Sequence, residues 1–163
     1  MVTRLTILLC IFLTCSGCAS STPATTINLN IEDETFTLEL ITTQETRTNG
    51  MMHRTSIAPK GGMLFVFPDT ANRSFWMKNC FVDIDLIFLD SRGIITTLYE
   101  MTIEPPRKEV ESDWQYEGRL KNYWSQGPAR FAIELAAGSI ERLHLEINQK
   151  IALDLPYVKS LAR

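Results

Sequence analysis

The residues most able to do chemistry gather in three places along the chain. The first is Ser74-Phe75-Trp76-Met77-Lys78. As a strand it puts Phe75 and Met77 on one face, Trp76 and Lys78 on the other. A tryptophan beside a cation is a fair ligand platform, the ring supplying apolar area and the ammonium a charge. The same ring can equally fill a small core. Asn79 follows directly.

The second is Asp85, on the strand face of Ile87 and Leu89. Partial burial would raise its pKa toward that of a general base. The other reading is a carboxylate that accepts backbone N–H groups and pins the Asn79 turn. The third is the pair Arg130 and Glu134, which share a strand face opposite Phe131, Ile133 and Leu135. Either they line a groove with Lys78 or they form a solvated face. The expected groove is therefore Trp76, Lys78, Asn79, Asp85, Arg130 and Glu134.

Soft donors also occur: Met51, Met52, His53, Met63, Met77 and Cys80, with Trp76 nearby. Thioether and thiolate suit Cu(I), yet methionine in a small core is usually filler and a lone cysteine a small hydrophobe. Zinc is the weaker option, because no Cys-x-x-Cys occurs and His53 and His144 stand far apart. There is no phosphate loop, nucleophile elbow or serine triad, and no cofactor or metal is expected.

Short strands must position these groups. Ile27, Leu29 and Ile31 alternate with asparagines, and Phe36, Leu38 and Leu40 with Thr35, Thr37 and Glu39, which predicts an opening hairpin. Thr42 with Glu45 has the form of a capping box. It predicts a short helix over Thr43 to Asn49, stopped at Asn49-Gly50. Met63 to Phe67 is apolar on both faces, so it is a central strand. Ile84 to Leu89 and Ile94 to Met101 flank the turn Asp90-Ser91-Arg92-Gly93. Residues Thr102 to Gln126 are charged and carry Trp114, Tyr116, Tyr123 and Trp124, which predicts a lid, insertion or packed-down loop. Ala129 to Leu135 is a strand, Ile140 to His144 a short helix and Lys150 to Leu155 the last strand. Many short strands without a βαβ rhythm predict a mainly β fold, a small barrel-like antiparallel or mixed sheet with one or two short helices.

The first residues predict export. Arg4 precedes an apolar run, Leu5 to Leu13, too short to span a bilayer but right for a signal peptide. Cys15-Ser16-Gly17-Cys18 looks like a bacterial lipobox, with cleavage before Cys18 and lipid on its sulfur. More than one acyl chain makes such anchoring stable. Ala19 after the cysteine resembles an outer-membrane address. Residues 18–26 are a tether reaching on the order of 15 Å. The divisions are thus 1–17 signal peptide, 18–26 lipidated tether, 27–157 one globular domain and 158–163 tail. Loss of Arg4 takes the net charge from −3 to near −4, which disfavours nucleic acid. After cleavage Cys80 has no intrachain partner but the lipidated Cys18.

The motifs taken together resemble a known family. Thr43-Gln44-Glu45-Thr46-Arg47-Thr48-Asn49-Gly50-Met51-Met52-His53-Arg54 is followed by Gly62-Met63-Leu64-Phe65-Val66-Phe67, by Phe75-Trp76-Met77-Lys78-Asn79 and by Asp85-Leu86-Ile87-Phe88-Leu89-Asp90. Pro128-Ala129-Arg130-Phe131 and Glu134-Leu135-Ala136-Ala137-Gly138 close the series. Their order and spacing resemble the domain of unknown function 192 family, over roughly Ile31 to Leu155. Thr is usual in that family at Cys80, Pro at Asp83 and Arg at Asn49. Its late glycines fall here on His144 and on Asn148-Gln149. The resemblance implies a small β-rich domain, often exported or tethered, with no established activity.

Three functions follow as expectations. The leading one is a non-enzymatic binding or accessory lipoprotein of the cell envelope, attached to the membrane through Cys18. It would take a small ligand or an envelope protein. The second is an envelope enzyme with Asp85 as base and Lys78 or Arg130 holding an anion. The third is a Cu(I) carrier.

Overall fold

The computed structural model describes residues 26–162. The signal segment, Cys18 and most of the tether lie outside the described residues. The chain opens with the predicted hairpin, β1 (Thr26–Ile31) and β2 (Glu34–Ile41), paired antiparallel. Its apolar side chains enter the core. On the polar face Thr35 donates to Asn30 at 2.8 Å and Thr37 to Asn28 at 2.9 Å.

α1 (Gln44–Asn49) begins at Thr43, whose hydroxyl accepts from the Thr46 N–H. The cap is therefore Thr43 with Thr46, one residue later than the Thr42 and Glu45 expected from sequence. β3 (Gly61–Ala71) then lies parallel to β2. This makes one crossover unit that the hydrophobic pattern did not predict. The reason is physical: α1 is a single short helix with no buried residue, so it leaves no apolar stripe to read.

β4 (Ser74–Phe75), β5 (Ile84–Leu89), β6 (Ile95–Met101), α2 (Asp113–Arg119), β7 (Tyr123–Trp124), β8 (Ala129–Ala136), α3 (Ser139–Arg142) and α4 (Leu155–Ser160) follow. The main sheet runs β1-β2-β3-β8-β5-β6, and β4 pairs only with β7. The fold is mainly β with a mixed sheet, as expected. The sheet is open: β1 and β6 are its two edges and do not pair, so the expected barrel closure is corrected. Closure is not needed because both faces are already covered. One face carries Leu38, Leu64, Ile133 and Ile87 and packs under Leu143, Leu145, Ile151 and Val158. The other carries Phe65, Ala132 and Phe88 and packs under Met51, Met77, Cys80 and Tyr123. Burying each such aliphatic or aromatic side chain contributes about 1.5–3 kcal/mol before entropy is set against it.

Other expectations change in detail. Among the described residues there are four short helices where one or two were expected. The last strand reduces to a bridge between Ile94 and Lys150. Asp154 instead caps α4, accepting from the Tyr157 N–H. Val158, assigned to the tail, is fully buried, so the chain beyond 157 packs on the core. Within Thr102 to Gln126, Tyr116 and Tyr123 are buried and pin the segment down. Trp114 and Trp124 stay exposed.

Candidate functional site

β3 and β8 are the innermost strands, and their shared face ends in a pocket. Its volume is about 490 Å³, and α1, Gly50 to Met52, the end of β3, and the stretch from Asn72 to Trp76 wall it. Pockets of roughly 300–1,000 Å³ suit small organic ligands. Phe65, Phe67 and Phe75 give the apolar wall. Phe75 meets Phe65 edge to face at 4.9 Å between centroids and Phe67 at 6.4 Å.

Glu134 lies among the lining residues. It faces Met63 on β3 and Leu86 on β5, in the row that continues to Glu39 on β2. The side chain is 4% exposed, and its Oε2 has no hydrogen-bond partner. Burial pushes its pKa up to about 8, against the opposing pull of the Arg54 charge. Arg54 cannot neutralise it fully because it already forms a two-pronged ion pair with Glu39, at 2.5 and 2.7 Å. Glu134 is therefore largely protonated at neutral pH.

Two arginines stand on the pocket wall. Arg47 donates to the carbonyls of Thr42 at 2.7 Å and Val66 at 3.1 Å. Arg73 lies over the Phe67 ring, 4.3 Å from its centroid, and pairs with Asp69. The Arg73 Nε is buried and has no acceptor.

Of the six expected groove residues, the pocket brings together Trp76 and Glu134. Lys78 sits beside Trp76, 5.5 Å from the ring, and its charge is engaged by Glu117 of α2. Asn79 takes a positive φ of 53°, and its N–H donates to the Tyr116 hydroxyl at 3.0 Å. Arg130 donates to the carbonyl of Pro68, a pocket residue. It does share a strand face with Glu134. That face is neither solvated nor an open groove along its length, because β8 is central and covered on both sides.

Asp85 is separated from the rest. It pairs with Leu135 in register, so it lies on the opposite face of the sheet from Glu134. It is fully buried, and its Oδ2 accepts from the Ile140 N–H at 2.7 Å. Burial raises its pKa, and the backbone N–H groups of Ile140, Gly138 and Ser139 draw it down. The carboxylate thus pins the start of α3 rather than the Asn79 turn. The side chain is closed to water, whereas a general base needs a water-accessible cleft. Asp85→Ala should strand the Ile140 N–H and cost about 1–3 kcal/mol in urea unfolding, and Asp85→Asn, which keeps an acceptor, should cost less.

The soft residues divide. Met51, Met63, Met77 and Cys80 are buried in one core cluster, and Met52 is half-buried. His53 is exposed and meets Phe81 edge-on. Burial pushes the Cys80 thiol up to about 12, so a metal there would have to displace a tightly held proton. Among the described residues no group of three His, Cys, Asp or Glu is placed to hold a metal.

Sequence reasoning missed Arg47 and Arg73 as site residues. Arg47 stood in the family-like block from Thr43 to Arg54, which was its one signal. Arg73 stood in a loop and gave none.

The model of the family described as uncharacterized ACR, the domain of unknown function 192, matches residues 26–153. No curated protein matches the chain. Two solved structures are similar. One is a protein of Sinorhizobium meliloti 1021 designated a candidate transcription regulator, 29% identical, with a TM-score of 0.62 over 77% of this chain and 89% of that one. The other is a protein of unknown function from Novosphingobium aromaticivorans DSM 12444, 20% identical, with a TM-score of 0.60 over 78% of this chain and 84% of that one.

Proposed function

Since the chain belongs to the domain of unknown function 192 family, whose name assigns no activity, we propose a function from the pocket. The protein is a non-enzymatic cell-envelope lipoprotein, anchored through lipid on Cys18, that binds a small ligand between α1 and the end of β3. The observation that carries the binding reading is the unpartnered, buried Oε2 of Glu134 on the pocket lining. An orphaned buried polar atom costs stability, and a ligand group that satisfies it recovers that cost. The lipobox-like Cys15-Ser16-Gly17-Cys18 carries the anchor, and Ala19 favours the periplasmic face of the outer membrane. A net charge of −3 gives no support to a nucleic-acid role such as the designation of the S. meliloti protein would suggest.

The test has two arms. Fatty-acid labelling in a two-membrane bacterium should mark the chain, and Cys18→Ser should abolish both label and membrane fractionation. A thermal-shift panel of sugars, short peptides, small acids, amines and metals should give a hit that Trp76→Ala or Glu134→Leu removes. Saturation at about 100 times the dissociation constant adds roughly 2.7 kcal/mol. An unlabelled chain sinks the anchor, and a flat panel sinks the small-ligand reading.

A further inference from the structure

The pocket's polar atoms restrict the charge of what it can hold. Two of its charged lining residues are the cations Arg47 and Arg73, and the third is Glu134. Arg73 Nε is a buried donor with no acceptor, and Glu134 Oε2 is a buried carboxyl oxygen with no partner. Beyond Glu134 stands Arg54, whose charge is matched by Glu39. A cationic ligand would meet the arginines and gain only a carboxyl that burial keeps protonated. Ligand oxygens, in contrast, can accept from the Glu134 O–H and from the Arg73 Nε–H, and the guanidiniums of Arg47 and of Arg73, the latter also paired with Asp69, favour a negative charge on them. The rings of Phe65, Phe75 and Trp76 then take an apolar body.

We propose that this pocket selects small organic anions, chiefly carboxylates on an apolar body, through the carboxyl of Glu134 and the guanidinium of Arg73. The proposal rests on the small-ligand reading above and adds the ligand class. It also sets the direction of the pH dependence. Glu134 acts as donor only while protonated, so affinity is full well below pH 8 and falls as pH rises through that value. The other titratable and charged groups around it are Glu39, Arg47, Arg54, Arg73 and Cys80, with Asp69 behind Arg73, which holds that carboxyl below its usual range. The arginines stay charged across this range, the Glu39 carboxylate is held in its ion pair with Arg54, and the Cys80 thiol loses its proton only near about 12.

Three probes of matched shape test it: phenylacetate, 2-phenylethanol and 2-phenylethylamine, titrated calorimetrically into the full chain in detergent. At pH 6.5 phenylacetate should bind at least about tenfold more tightly than the other two, a difference of roughly 1.4 kcal/mol. Its affinity should fall toward tenfold per pH unit above 8. Arg73→Met should weaken it about tenfold or more, and Glu134→Gln should remove the decline above pH 8. Tighter binding of the amine, an affinity that rises with pH, or a decline that persists in Glu134→Gln would overturn the proposal and leave the pocket reading standing. So would failure of all three probes while a sugar or peptide binds. Failure of every compound overturns both readings.

Discussion

Glu134→Gln should remove most of the pH dependence of stability between pH 4.5 and 8 and leave the variant more stable than the parent above that range. Unfolded, this carboxyl titrates near its ordinary 4.5; folded, burial holds it at about 8. Between those values the native state keeps a proton that the unfolded state has released. Unfolding then releases a proton, so the parent loses stability as pH rises through the window and reaches a plateau above it. The shift corresponds to at most on the order of 5 kcal/mol. Asp85, also raised by burial, adds in the same direction from a lower pH and persists in the variant. Urea unfolding at pH 5, 6.5 and 8.5 checks the expectation. With a slope of about 1–3 kcal/mol per molar urea, the parent midpoint should fall by more than about 1 M, and the variant midpoint should move far less. Parallel curves would mean that Glu134 does not titrate in this range. The result matters for function because a group that costs stability in the empty protein is best explained by what it does when the pocket is filled.

Gly62→Ala should be the most damaging small substitution in the domain. Gly62 lies on β3 between Leu38 of β2 and Leu135 of β8. A Cβ there would stand 2.3 Å from the Glu134 carbonyl oxygen, 2.9 Å from Leu135 Cδ2 and 3.1 Å from Leu38 Cδ2. Its φ of +154° also favours glycine. The carbonyl belongs to the central strand and cannot move without opening the ladder on both sides. The cost should exceed about 4 kcal/mol, in the range reserved for backbone and core disruption. The same clash would displace Glu134, so the pocket should be lost with the fold. Gly118→Ala is the control. It sits in α2 with nothing within 4 Å of the added Cβ, and alanine should stabilise that helix by about 0.5–1 kcal/mol. Melting temperatures of the two variants should therefore move in opposite directions. A Gly62→Ala chain that melts near the parent would show that β3 and β8 do not pack as described.

The sequence by itself determined the long strands of the main sheet, the mainly β class and the family, but not the short β4 and β7 or the loss of the strand expected over Lys150 to Leu155. The legible features depend on local signals: alternation over two residues, turn chemistry at Asp90 to Gly93, and the blocks around Gly62, Trp76 and Asp85. The turn at Asn148, which takes a φ of 74°, fits an asparagine where the family has glycine, whereas the φ of 50° at His144, read as helical, was not foreseen. What only the tertiary structure decided was which polar residues share a site. Alternation gives the two faces of a strand but not which face of the sheet is which. Asp85 and Glu134 thus looked like neighbours in one groove, whereas the β5–β8 register sets them on opposite faces. Arg47 and Arg73 reach the pocket through a one-turn helix and a loop, neither of which carries periodicity. The weight on Glu134 comes from a central position in an open sheet, where burial rather than sequence raises a carboxyl's pKa. Burial depends on every strand around it, and no local pattern records that.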